Sequence, residues 1–257
     1  MRHKLVIYTA IIGGNYDFLH QPMIVEDNVD YICFVKKGSR FPSRNGVWEI
    51  REVDYENKDN TRIARYIKMH PHILFPDNEY SLWIDGNIQI ATSDLYSIVD
   101  EKIDEGVLLS SMFHPHLDCC YDDAYVCMAS HKDKIYRIVL QLLYLKFHGF
   151  PKNYGLYETN VFYRKHSSEK VIQFNNLWWH LLSNLSRRDQ LGCTYSMWKI
   201  GIPMNYLLPK GLHARNSKIV NYYPHKDKAQ VRVKQGKLRN TLYSWIKQIV
   251  GYRKNKE

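Results

Sequence analysis

The sequence predicts an α/β domain on a largely parallel sheet, followed by a basic tail. Short apolar runs of strand character alternate with longer segments of helical spacing, the pattern of a sheet covered by helices. Apolar residues make up 45% of the 257-residue chain, enough for a sizeable core. Charge is uneven. From Lys210 onward 13 Lys or Arg face only Asp227 and Glu257, a net of +11. The whole chain carries +10, so the preceding residues sum to −1.

Residues 4–12 (KLVIYTAII) are the first strand candidate and run into Gly13-Gly14. YICFV (31–35) and the alternating WEIREV (48–53) are the next two. Residues 60–75 have helical spacing through Ile63, Tyr66 and Ile67, with Asn60 placed as a cap. YSLWI (80–84) is a buried strand, and IQI (88–90) another short apolar piece. Residues 93–103 read as a helix capped by Ser93, and 107–112 as a strand. Residues 114–124 read as a polar loop, and 132–149 as a long helix ending at Gly149. Residues 159–164 are a strand; 168–185 and 188–201 are helices, the last closing at Gly201. These divide the chain into a domain over 1–210 and a tail over 211–257. A helix over about 237–250 would place Leu238, Leu242, Trp245, Ile246, Ile249 and Val250 on one face.

Several classes lose their support. The five cysteines are odd in number and contain no CxxC pair, so neither a disulfide framework nor a zinc site is indicated, and a reducing cytoplasm fits. The basic, apolar N-terminus is too short for a signal peptide and reads as a strand. No stretch reaches the ~18 apolar residues of a spanning helix. GxGxxG, GxxxxGK[ST] and GxSxG are all absent. The neutral domain argues against an extended nucleic-acid groove, although the basic tail keeps that class as an alternative. The tail suits an anionic membrane face, or packing on protein.

Ligands of open α/β sheets gather at the C-terminal ends of strands. Tyr8 and Thr9 fall at one such end, Asp85 and Asn87 at another, His114 and His116 follow a third, and Asp189 and Gln190 open a helix after Arg187 and Arg188. Acidic and amide groups ringed by cations suit a nucleoside diphosphate.

Two resemblances follow. RIARYIKMHPHILFPDNEYSLWIDGNIQI resembles the helix, strand and D-x-D segment of GT-A (Rossmann-like) glycosyltransferases, most of all the family 8 retaining enzymes; SRRDQL resembles their DQ motif. YTAIIGGNYD, WIDGNI, HP…CCYDDA, GFPKNYGLYETNV and RRDQL together resemble a plant and bacterial glycosyltransferase-like domain family over most of residues 5–205. The resemblance implies a GT-A fold and transfer of a sugar from a nucleotide diphosphate, UDP favoured, to a hydroxyl of a glycan or lipid-linked acceptor. It implies work in surface polysaccharide (capsule or lipopolysaccharide) synthesis, in the cytoplasm or on the inner membrane face. The DQ likeness tilts towards retention of configuration.

It also implies roles. Tyr8, Thr9 and Ala10 would contact the nucleoside; Arg62, Arg65 and Lys68 the diphosphate, with Arg187, Lys210 and Arg215 nearby. Asp85, Gly86 and Asn87 would hold the nucleotide sugar. Asp85, Asn87 and a late histidine, His213, would hold Mn²⁺ or Mg²⁺. Asn87 stands where the second aspartate of D-x-D belongs, and a neutral amide is the weaker ligand for a hard cation. That departure keeps a non-catalytic nucleotide-sugar binder in view. Asp189, Gln190, Arg188 and Glu158 are the catalytic candidates. His114, His116, Asp122 and Asn160 are the acceptor contacts.

Overall fold

The computed structural model describes residues 1–13 and 18–224. Its centre is β1 (Leu5–Ile11), all seven residues of which are buried, as expected of a strand covered on both faces. β1 pairs in parallel with β2 (Val29–Lys36) and with β5 (Tyr80–Ile84). β4 (Trp48–Val53) extends the parallel half beside β2, and the two-residue β3 (Arg44–Asn45) folds back antiparallel on β4. On the other side of β5 the sheet changes direction. β8 (Tyr157–Arg164) runs antiparallel to both β5 and β7 (Leu109–Phe113), and β9 (Asn205–Tyr206) lies parallel to β7. The order is β3-β4-β2-β1-β5-β8-β7-β9.

Three packed clusters complete the domain. α1 (Asn60–Met69), α6 (Glu169–Asn184) and α7 (Asp189–Ile200) cover one face, where Ile63, Ile67, Phe174, Trp178 and Met197 meet Val6, Tyr8 and Phe162. α3 (Asp94–Asp104) covers the other through Leu95, Tyr96 and Val99. α4 (Cys120–Ala129) and α5 (Ile135–Phe147) form a third cluster that joins the sheet through Leu191 and Tyr195 of α7.

The expected helix over 60–75 is two. His70 precedes a proline and leaves the helical region (φ −122°, ψ 42°), so α1 stops and Pro71 opens the single turn α2 (Pro71–Leu74). The cap of α1 is Asp59, whose carboxylate accepts from Thr61 N at 3.0 Å, rather than Asn60. Ser93 sits at the cap position of α3 without a side-chain cap bond. Half of the expected loop over 114–124 is the first turn of α4.

Beyond Lys210 the chain folds back to form a separate two-stranded sheet beside the end of β5. β10 (Val220–Tyr222) pairs antiparallel with β6 (Ile88–Ile90), and Tyr223 N donates to Asn87 O at 2.9 Å. The helix expected over about 237–250 lies outside the described residues. Among the described residues no helix is long and apolar enough to cross a membrane.

Candidate active site

β5 carries its apolar run, Leu82, Trp83 and Ile84, through the core and delivers Asp85 at its C-terminal end. Gly86 and Asn87 make a tight turn closed by Ile88 N donating to Asp85 O at 2.8 Å. Asp85 N donates to Asn160 O at 2.8 Å, tying the turn to β8. Its carboxylate is not alone in the apolar surround: Trp83 Nε1 donates to Oδ1 at 2.7 Å. Around this turn lies a cavity of about 350 Å³. α1 supplies Arg65; β8 supplies Glu158, Thr159 and Asn160; α4 supplies Asp123 and Cys127. The start of α7, with the residue before it, supplies Arg188, Asp189 and Gln190.

Its floor is an ion cluster. Lys68 is 0% exposed and donates to Asp189 Oδ2 at 2.7 Å and to Thr159 Oγ1 at 2.9 Å. Thr159 in turn donates to the same Asp189 oxygen at 3.0 Å, and Arg65 Nε lies 3.2 Å from it. Asp85 Oδ1 stands 3.8 Å from Lys68 and 3.9 Å from Arg65. Burial acts to raise the Asp189 pKa. Arg65, Lys68 and Arg188 outweigh it and hold the carboxyl well below the usual range, so it is ionised.

The other cleft carboxylates differ. Glu158 pairs with Arg215, whose guanidinium also stacks 4.7 Å from the Tyr222 ring. Asp123 accepts a weak thiol contact from Cys127 at 3.6 Å, and burial pushes its pKa up against the pull of Arg188. Two lining residues hold a buried polar atom with no hydrogen-bond partner, Arg188 Nε and Asn160 Oδ1, whereas Arg65 Nε is taken up in its ion pair with Asp189. Such atoms in a cleft mark where a ligand completes the bonding.

A second cavity, about 420 Å³, adjoins through His114, which lines both. Its walls include His116, Tyr157, Tyr206, Lys210 and His213. Phe113 and Tyr206 stack there at 3.6 Å between ring centres. His114 Nδ1 accepts from Leu117 N at 3.1 Å, which leaves the proton on Nε2. Burial, then His116 and Arg215, push its pKa down to about 4, so it is a neutral donor.

A sequence model of the TOD1/MUCI70 glycosyltransferase-like domain matches residues 1–225. The chain belongs to that family. No curated protein matches it. The match reaches through β10, so the segment carrying Arg215 and Tyr222 is part of the glycosyltransferase-like domain.

The glycosyltransferase-like domain brings most of the expected site residues together and sets some apart. Arg65, Asp85, Asn87, Glu158, Asn160, Arg188, Asp189 and Gln190 share the first cavity. His116, Lys210 and His213 line the second. Tyr8, Thr9 and Ala10 are buried strand residues that line neither. The Tyr8 hydroxyl donates to Lys68 O at 2.8 Å and accepts from Arg164, so its ring offers no ligand surface. Arg62 turns away and clamps the carbonyls of Leu182 and Leu185 at the end of α6. Lys68 lies behind the two aspartates and lines neither cavity. Arg187 bonds Asp59 at 3.2 Å and pairs with Asp133, outside the cleft. Asp122 lines neither cavity; its helical neighbour Asp123 does. Thr159, Lys132 and Tyr222 carried no sequence signal, because each joins the cleft only through tertiary packing.

Asp85, Asn87 and His213 do not fit a divalent cation as a set. His213 lines the other cavity, and its Nδ1 accepts from Arg215 N at 3.2 Å. Asn87 Nδ2 donates to Tyr223 O at 2.8 Å. The one carboxylate, Asp85, already faces an indole N–H and two fixed cations. Among the described residues no three His, Cys, Asp or Glu gather as a metal site. The Tyr223 carbonyl also accounts for the amide at position 87: a carboxylate there would face an acceptor with no donor of its own.

Two outcomes follow for stability. Asn87→Asp exchanges a buried donor for a repulsive contact, and urea unfolding is expected to show a loss of about 1–3 kcal/mol. An unchanged midpoint would remove the Tyr223 anchor. Asp189→Asn strands two cations and is expected to cost about 3–5 kcal/mol at neutral pH. Because the folded Asp189 pKa is depressed, its contribution is present above the unfolded carboxylate value of about 3.9 and is lost as pH falls below it. Between neutral pH and the acid range the variant's stability should therefore fall less steeply than the wild type's. Parallel pH profiles would refute the cluster's role.

Proposed function

We propose that the first cavity binds the diphosphate and sugar of a nucleotide-sugar donor and transfers the sugar to a hydroxyl presented from the second cavity. The observation that carries this is the cleft at the C-terminal edge of β5 lined by three arginines, Arg65, Arg188 and Arg215, with Arg188 Nε buried and without a hydrogen-bond partner. Family membership supports a transferase in general. A UDP-sugar is the donor that the D-x-D-like resemblance favours. At the same sheet edge Ile11, Cys33, Val35 and Ile50 line a third cavity of about 230 Å³, an apolar seat for the base.

Catalysis is positioning plus electrostatics. Arg65 and Arg188, with Arg215 at the rim, face the charge that develops on the departing diphosphate. The fixed cations do what a metal would otherwise do, and no step passes through one. Asp189, ionised and locked on Lys68, fixes the start of α7 so that Arg188 and Gln190 face the donor sugar. His114 donates from Nε2 to the acceptor. Asp123, its pKa pushed up by burial, takes the acceptor proton, which gives inversion. Retention, which the Asp189-Gln190 resemblance favours, would use the leaving phosphate instead. The acceptor is a glycan or lipid-linked sugar of surface polysaccharide synthesis, with the basic tail holding the enzyme on the anionic inner membrane face.

A nucleotide-sugar panel followed by thermal shift tests the reading. At least one donor should raise the melting temperature, equally with and without EDTA. Arg65→Ala and Arg188→Ala should each weaken binding at least about ten-fold. No shift with any donor would count decisively against it, and binding without turnover would make the protein a sensor. If Asp123 is the base, the acid limb of kcat/KM lies above the ordinary aspartate range, activity falling as pH drops through it, and Asp123→Asn loses about 10²-fold or more. Proton NMR of the product anomer separates inversion from retention.

A further inference from the structure

α5 is apolar on two opposite sides. Ile138, Leu142 and Leu145 point into the cluster shared with α4 and α7. At about 100° per residue, Tyr136, Leu140, Leu143 and Phe147 fall within an arc of about 60° on the other side, a strip about 16 Å long. They are 55, 50, 48 and 88% exposed. A helix apolar all round is normally buried, and this one is open along its outer face. Arg137 and Lys146 flank the strip, about 100° to one side and 80° to the other. From Lys134 to Lys152 there are four Lys or Arg and no acidic residue.

We propose that this outer face of α5 docks the folded domain on an anionic lipid bilayer. Charge complementarity selects that occupant. The chain's own tail carries 13 Lys or Arg from Lys210 onward and would bring positive charge to a positive rim. A second copy would bring the same rim. Anionic headgroups complement the basic flanks while the strip enters the acyl boundary. Thirteen residues span about 20 Å, short of the ~30 Å hydrocarbon core, so the helix lies in the interface plane. The placement serves the cleft, and here the inference rests on the proposed transfer. Lys132 lines the cleft, and Asp133 accepts from Ser186 Oγ at 2.9 Å and Arg187 N at 2.8 Å, next to Arg188 and Asp189. Docking through α5 therefore brings the segment next to the cleft-lining Lys132 close to the membrane surface, where a lipid-linked sugar lies. This surface belongs to the domain and is separate from the tail.

The test uses the full chain with its tail intact. Vesicles containing phosphatidylglycerol should bind the wild type, and vesicles of phosphatidylcholine alone should bind it weakly. Leu140→Glu with Phe147→Glu should lower binding to the anionic vesicles at least about ten-fold, with melting temperature and nucleotide binding unchanged. Phe147→Cys carrying a polarity-sensitive dye gives a readout independent of those charges, since all five native cysteines are buried. Its emission should shift to the blue on anionic vesicles. Unchanged binding by the double variant, or no dye shift, would overturn the proposal. A dimer in sedimentation velocity that Leu140→Glu dissociates would assign the face to a second copy and also overturn it. Failure of nucleotide binding in the wild type would refute the transfer reading and leave the lipid result standing.

Discussion

The Lys68–Asp189 pair is the constraint on which the site depends. Its ammonium is fully buried, lies 5.6 Å from the Trp83 ring and 5.8 Å from that of Trp178, and bonds a carboxylate whose backbone carbonyl accepts from Trp178 Nε1 at 2.7 Å. A pair this deep gains little net stability, because desolvation of both ions cancels much of their attraction. What it supplies is position. It joins α1 to the start of α7 and, through Thr159, to β8. Every side chain that faces the cleft from those elements inherits its place from this contact. The cleft is then a shell of cations and carboxylates whose internal pairing is incomplete at Arg188 and Asn160.

The D-G-N turn is held from the opposite side. Asn87 binds both polar atoms of the Tyr223 backbone, and β10 pairs with β6 just beyond it. That segment brings Arg215 to Glu158 and Tyr222 to the cavity wall. The amide that departs from the D-x-D pattern is therefore a structural anchor in a site whose charge is managed by arginine.

Much of this was legible beforehand. Unbroken apolar runs located β1, β2, β5 and β8, and the D-x-D-like and DQ-like pairs located the cleft. Strand direction was not legible, because an apolar run has no polarity; the antiparallel course of β8 is a tertiary fact. α4 is not legible as a helix because its buried residues, Cys120, Tyr121, Asp123, Ala124, Cys127 and Met128, mix small, acidic and apolar side chains without a clean apolar stripe. Arg62, Arg65 and Lys68 looked like one basic face, yet steps of three drift by about 120° over two steps. Only the middle residue reaches the cavity. Which of Asp122 and Asp123 faces the cleft depends on the phase of α4, which the sequence pattern does not reveal.

The buried aspartate–lysine lock thus connects fold to the proposed chemistry: it holds two arginines on the cleft where the diphosphate of the proposed donor would lie. A crystal structure of the protein with a bound nucleoside diphosphate tests this most directly. The account predicts phosphate oxygens within hydrogen-bond distance of Arg65 and Arg188 in the cavity beside Asp85, with Lys68 still on Asp189. A diphosphate bound elsewhere, or Lys68 released from Asp189 to reach it, would contradict the account.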